Sequence, residues 1–231
     1  MPQGLNFAKD HVTGQNPLPQ ICSRTMKHAL LGLLILLPIV LLAQTNTPPP
    51  ASSIGHVETL VCIRHGEKPP GGLGQLTCRG LNRALALPDV LIKKFGAPEF
   101  IFAPNPSERT DPGSYYYIRP LMTIEPTAIR CGLPVNTAFG FSQIKALENE
   151  LQKPPYLNAT VFIAWEHGLL DIFAKNLMKD NGGDPKEVPP WPGKDYDTIF
   201  VFKITHDGPR NSINFTIDHE GLNNLSDQCP H

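Results

Sequence analysis

At 231 residues, with 41% hydrophobic and 18% charged residues and a formal net charge of -1, the chain has the make-up of one globular domain of ordinary size. These values fit neither a disordered acidic chain nor a basic nucleic-acid binder, so no nucleic-acid partner is expected. Many of the 25 prolines fall in clusters, such as Pro48-Pro49-Pro50, Pro69-Pro70, Pro154-Pro155 and Pro189-Pro190, which mark linkers and loops around a folded body.

After Met26 come Lys27 and His28, then an uncharged, mostly apolar stretch from Ala29 to Ala43, then polar Gln44-Thr45-Asn46-Thr47. A short basic start, an apolar centre and a small residue near the cut make up a secretory signal, with cleavage near Ala43. The stretch falls short of the roughly 20 residues that span a bilayer, which leaves a short anchor as the alternative. The polar residues Met1 to Thr25 are longer than an ordinary leader, and Met26 is an alternative start. The expected division is an N-terminal extension over 1–25, a signal peptide or short anchor over 26–43, a Pro-rich linker over 44–55 and a folded domain over 56–231. An extracytoplasmic location, periplasmic or secreted, follows, with membrane contact only through the N-terminal anchor.

Within the domain, Thr59 to Ile63 is a brief, β-branched apolar run, as expected of a strand buried on both faces. Thr77 stands where a helix is capped, and apolar residues from Leu81 to Phe95 follow at helical spacing up to Gly96. Pro88 predicts a kink or a break in that helix. Phe100 to Ala103 reads as a second strand, and a loop then leads past Tyr115-Tyr116-Tyr117 to a short helix starting near Arg119 and Pro120. A third strand is expected at Val135 to Phe139, a helix over Ser142 to Gln152 and a strong strand over Thr160 to Trp165. A helix over Leu169 to Met178 follows, and Ile199–Ile204 and Ile213–Ile217 close the chain as a hairpin across Asp207-Gly208. This alternation predicts a three-layer α/β/α sandwich around a mostly parallel mixed sheet of about six strands.

Of the four cysteines after the apolar stretch, Cys62 reads as a small core residue, and the even count permits two disulfides or none. No close Cys or His pairs have zinc spacing, so neither a metal nor a cofactor is expected. Arg79 and Arg83 read as exposed helix charges. The tyrosine run is either packing or a pocket wall.

In open α/β sheets ligands collect at the carboxyl ends of the strands. Two predicted strands end there in chemically capable residues, Arg64-His65-Gly66-Glu67 and Glu166-His167-Gly168. Arg64-His65-Gly66 after an apolar strand resembles the signature of the histidine phosphatase superfamily, also called phosphoglycerate mutase-like. The segment from Leu76 to Ala84 is similar to that family's Leu-Thr-x-x-Gly-x-x-x-Ala helix entrance. Arg119-Pro120-Leu121-Met122-Thr123 is similar to its Arg-Ala-x-Gln-Thr segment, with Met122 in place of Gln, and His167 stands where its second histidine belongs.

The resemblance implies a phosphoric monoester hydrolase in which His65 attacks phosphorus to form a phosphohistidine. Arg64 and Arg119 would grip the phosphoryl oxygens with planar charged forks, and His167 would donate to the charge that develops. The substrate would be a phosphorylated small molecule or a phosphoprotein. The acid that protonates the leaving oxygen has no counterpart at the family's two usual places. Glu166 is the candidate, as a partly buried carboxyl with a raised pKa, although strand alternation would point it away from its neighbour. Glu67, Glu148 and Asp171 compete for the role. The alternative from another class is a non-catalytic module that binds phosphate in the same pocket.

Overall fold

The computed structural model describes residues 55–109, 115–207 and 209–230. The N-terminal extension, the signal-like segment and the linker up to residue 54 lie outside the described residues. Among the described ones, no helix is long and apolar enough to cross a membrane. In chain order the elements are β1 (His56–Arg64), α1 (Cys78–Phe95), β2 (Phe100–Phe102), α2 (Arg119–Cys131), β3 (Val135–Asn136), α3 (Ile144–Leu151), β4 (Thr160–Trp165), α4 (His167–Asp180), β5 (Thr198–Asp207) and β6 (Arg210–His219).

The six strands form one sheet in the order β3-β2-β4-β1-β5-β6. The first four run parallel, while β5 and β6 add an antiparallel hairpin on one edge. Alternation along β1 divides the core in two. Leu60 and Cys62 face one side with Leu147, Leu151 and Phe173 of α3 and α4, and Val61 and Ile63 face the other with Leu87, Leu91, Ile124 and Ala128 of α1 and α2. The result is the predicted α/β/α sandwich with a mostly parallel mixed sheet.

Local chemistry explains where the elements begin and end. Thr77 caps α1 by accepting from the Gly80 N–H at 3.1 Å, and Gly96 stops the helix at φ 79°. Of the kink or break expected at Pro88 the break does not occur: Pro88 sits inside one continuous helix, buried on its core face. β3 ends at Asn136 and not at Phe139, because the Asn136 side chain accepts from the Ala138 N–H at 3.0 Å and turns the chain. The helix at Arg119 is longer than expected, at 13 residues. α4 starts at His167, two residues earlier than its apolar pattern, because Glu166 caps it.

Two further expectations are corrected. Arg83 is not an exposed helix charge: it is fully buried, its Nε lies 3.0 Å from Glu67 Oε2, its Nη2 2.8 Å from Glu67 Oε1, and its Nη1 pairs with Glu220. Arg79 does lie at the surface, paired with Asp227 at 2.8 Å. Among the described residues the cysteines form one bridge, where two or none were expected: Cys78 at the start of α1 joins Cys229 in the C-terminal tail, and Cys62 stays free and buried. Asn82 adds hydrogen bonds to the Ser226 and Gln228 carbonyls, at 2.9 and 2.7 Å. The tail is thereby fastened along α1, beside the helix entrance that follows Glu67.

Replacing Arg83 with Ala leaves Glu67 and Glu220 without their counter-charge. Such a loss in a buried ion cluster should destabilise the fold by about 3–5 kcal/mol. Guanidinium-induced unfolding checks this: the midpoint should fall, and an unchanged midpoint would show that the cluster adds nothing to stability.

Candidate active site

The parallel pairing of β1 with β4 puts Arg64 level with Trp165, so the residues that follow the two strands emerge side by side. The His65 N–H donates to the Trp165 carbonyl at 3.1 Å, which extends the pairing by one residue. β5 runs the other way, so the loop that precedes it, residues 191–197, arrives at the same edge. Three stretches far apart in sequence meet there through strand register alone.

His65 is 2% exposed, and its ring lies between Tyr117 and Tyr196, with centroids 6.0 and 6.2 Å away. Its Nδ1 is 2.7 Å from the Gly66 carbonyl, which accepts a proton and offers none. Nδ1 therefore carries the hydrogen and Nε2 keeps its lone pair. Burial pushes the His65 pKa down to about 3, opposed by the Gly66 hydrogen bond and aided by the charges of Arg119, Arg64 and Lys68. The ring is a neutral base with one free nitrogen.

The two arginines are buried beside it, at 1% and 5% exposure. Arg64 Nη1 donates to the Gly193 and Asp195 carbonyls at 2.9 and 2.8 Å, and its guanidinium lies 3.9 Å from the centre of the Tyr196 ring. Arg119 Nη1 reaches the Gly72 carbonyl at 3.3 Å, and its guanidinium lies 4.6 Å from the Tyr117 ring. In both, Nε is buried without a hydrogen-bond partner among the described residues. An unsatisfied donor on a buried cation is costly unless an acceptor arrives, and an anion is the acceptor that fits.

The loop that carries these arrangements is stiff. Thr123 Oγ1 accepts from the Gly66 N–H at 2.9 Å and donates to the Arg119 carbonyl at 2.8 Å, which ties the histidine loop to α2. Gly66 and Gly80 are packed against each other: a Cβ on Gly80 would lie 2.5 Å from the Glu67 carbonyl oxygen, and one on Gly66 would lie 3.0 Å from that of Gly80. Only glycine lets the α1 entrance approach the loop this closely.

At the end of β4, Glu166 and His167 do converge, because alternation no longer applies once the helix starts. Glu166 Oε2 accepts from the Leu169 N–H at 2.8 Å, and Oε1 lies 2.5 Å from His167 Nδ1 in a close polar contact without the alignment of a hydrogen bond. His167 Nε2 faces Gly193, 3.6 Å from where a Cβ would stand on that residue, whose carbonyl holds Arg64.

The expected raised pKa of Glu166 is corrected. Burial pushes it up, but the His167 contact and the Gly168 and Leu169 N–H groups outweigh that and bring it to about 2. Glu166 is thus an ionised cap that orients His167, and a poor proton donor. Its competitors are engaged elsewhere: Glu67 with Arg83, Asp171 with Lys175 at 2.8 Å, and Glu148 with Asn176 at 2.8 Å.

No residue of the 191–197 loop was among the expected site residues. The Asp195 carboxylate accepts from the Asp197 and Thr198 N–H groups and from the Thr198 hydroxyl, and Trp191 is buried against Phe200. These bonds hold the two carbonyls that aim Arg64. An Asp-x-Asp-Thr run before a strand is an Asx-turn signal that was open to reading. Of the tyrosines, Tyr117 is a pocket wall, while Tyr115 and Tyr116 are exposed.

No family model and no curated protein matches the chain. Among solved structures it is similar to a chain assigned as the phosphohistidine phosphatase SixA of Nakamurella multipartitia, at 16% identity and a TM-score of 0.49 over 71% of this chain and 96% of that one. It is also similar to a mycobacterial glucosyl-3-phosphoglycerate phosphatase, at 18% identity and 0.47 over 70% and 97%. A third is the alpha-ribazole phosphatase of Shigella flexneri, at 13% and 0.41 over 75% and 98%. Identity at this level transfers neither substrate nor residue role.

Protonation of His65 is directly measurable. At pH 5, where an ordinary imidazole is mostly charged, nitrogen-detected NMR should find His65 neutral with its proton on Nδ1, since its pKa lies near 3. A charged ring at that pH would contradict the buried, cation-flanked placement.

Proposed function

We propose that the chain is an exported phosphomonoesterase that works through a phosphohistidine on His65. The reading is carried by one observation: a neutral imidazole with a free nitrogen lies beside two buried guanidinium groups whose Nε donors lack partners. In this reading Arg64 and Arg119 hold the phosphoryl oxygens, whose negative charge offsets the repulsion between the two guanidinium groups. His65 Nε2 attacks phosphorus in line with the leaving oxygen, while the proton stays on Nδ1, which donates it in a hydrogen bond to the Gly66 carbonyl. His167 donates to the charge that grows on the phosphoryl oxygens, held in position by the Glu166 carboxylate. Water then hydrolyses the phosphohistidine, which returns His65 to its starting state. Export rests on the signal-like pattern of residues 26–43 alone.

The depressed pKa of Glu166 bears on the substrate. Without a protonated carboxyl at the leaving oxygen, the reaction favours groups that depart as stable anions. It also favours the second reading, a phosphate-binding module that turns nothing over. One assay series separates them. The phosphatase reading predicts metal-independent hydrolysis of dinitrophenyl phosphate, abolished in His65→Ala, with alkyl phosphates slower by about 10²–10⁴-fold, the usual contribution of a general acid. Equal binding of phosphate by both proteins with no turnover of any ester would favour the binding module.

A further inference from the structure

At the opposite edge of the sheet, where β1 begins and β5 ends, lies a cavity of about 520 Å³. It is some six residues of β1 away from Arg64, roughly 20 Å at strand spacing, so it is no part of the phosphate pocket. Three carboxyl groups line it, Glu58, Glu148 and Asp180, and no lysine or arginine does. Between them the walls are apolar, with Leu60, Leu151 and Leu177 from β1, α3 and α4.

Glu58 is the unusual member. It is 2% exposed, its Oε2 lies 3.1 Å from His206 Nε2, and its Oε1 has no partner among the described residues. A chain of side-chain amides fixes the protons around it. Asn181 Nδ2 donates to the Leu177 carbonyl at 3.0 Å, so its Oδ1 faces Asn211 Nδ2 at 2.7 Å, and Asn211 Oδ1 in turn faces His206 Nδ1 at 3.2 Å. His206 Nδ1 must therefore carry a hydrogen, which leaves a single proton shared between Nε2 and Glu58 Oε2. The pair is neutral as a unit, and Oε1 is a buried acceptor that lacks a donor. Lys145, exposed on α3, is the nearby cation, 2.6 Å from Glu148 and 3.7 Å from Asp180, and does not line the cavity.

We propose that this cavity binds an organic cation, an aliphatic primary amine or diamine, with an ammonium group on Glu58 Oε1 and its methylenes along Leu60, Leu151 and Leu177. An anion would meet three carboxyl groups. A metal ion is disfavoured by geometry, since the described residues contain no group of three His, Cys, Asp or Glu side chains placed to hold one. The volume is that of an ordinary small-ligand site, and mixed apolar walls with a few convergent polar atoms are what such sites share. Burial raises the Glu58 pKa to about 8, with His206 of β5, Glu148 of α3 and Asp180 of α4 as the ionisable groups around the cavity. An ammonium group stabilises the ionised carboxylate, so binding below that pH releases a proton and tightens as pH rises to about 8.

Calorimetric titration of the full chain with 1,6-diaminohexane tests this, with 1-hexanol and calcium chloride as comparison ligands. The expected result is one diamine per chain, with affinity rising from pH 6 to pH 8 and levelling above, and no binding of hexanol or calcium. Glu58→Gln should weaken it by about tenfold or more through loss of a charge-assisted bond, and Arg119→Ala should leave it unchanged. The pH dependence is read on the unaltered protein and stands even if Glu58→Gln fails to fold. No diamine binding up to about 10 mM, an affinity flat with pH, equal binding by a folded Glu58→Gln protein, or binding of calcium alone would each overturn the proposal.

Discussion

A buried imidazole beside two guanidinium groups is the constraint from which the rest of this structure follows. Each of the three resists its neighbours: the arginine charges repel one another, and both oppose a charge on His65. The arrangement persists because each group is held by backbone carbonyls, that of Gly66 for the histidine, those of Gly193 and Asp195 for Arg64, and that of Gly72 for Arg119. Carbonyls supply acceptors without carrying a full charge. Of the positive field at the site only part is compensated, by the Glu166 carboxylate, and the remainder attracts an incoming phosphoryl group.

Holding those carbonyls in place occupies much of the surrounding chain. The Asp195 carboxylate organises the loop before β5, the Thr123 hydroxyl joins the histidine loop to α2, and the Arg83 cluster anchors Glu67 to the C-terminal tail. The disulfide at the start of α1 fastens the same tail a few residues on. Helix α4 contributes differently, since its first turn takes the Glu166 carboxylate as a cap and thereby turns His167 toward the loop. Stability and chemistry thus draw on the same few contacts.

What was legible in the sequence follows from the range of the forces involved. Thr160 to Trp165 emerged with its boundaries intact because a short β-branched run is a local signal, and the four residues Arg64, His65, Arg119 and His167 do gather at one sheet edge. Arg83 was misread because its partners Glu67 and Glu220 are 16 and 137 residues away, and helical periodicity carries no word of them. Glu166 was misread for a different reason. A rule for strands was applied to a residue that belongs to a helix start, where the Gly168 and Leu169 N–H groups and the His167 contact hold a carboxylate ionised. The Cys78–Cys229 bridge, 151 residues in span, was equally invisible to spacing. The division of the chain before residue 55 lies outside the described residues.

A crystal structure of the chain with orthovanadate bound tests the central claim most directly. The account predicts vanadium within bonding distance of His65 Nε2, with the Nε donors of Arg64 and Arg119 on its equatorial oxygens and His167 in contact. Vanadate bound elsewhere, or held by the arginines with His65 Nε2 turned away, would contradict it.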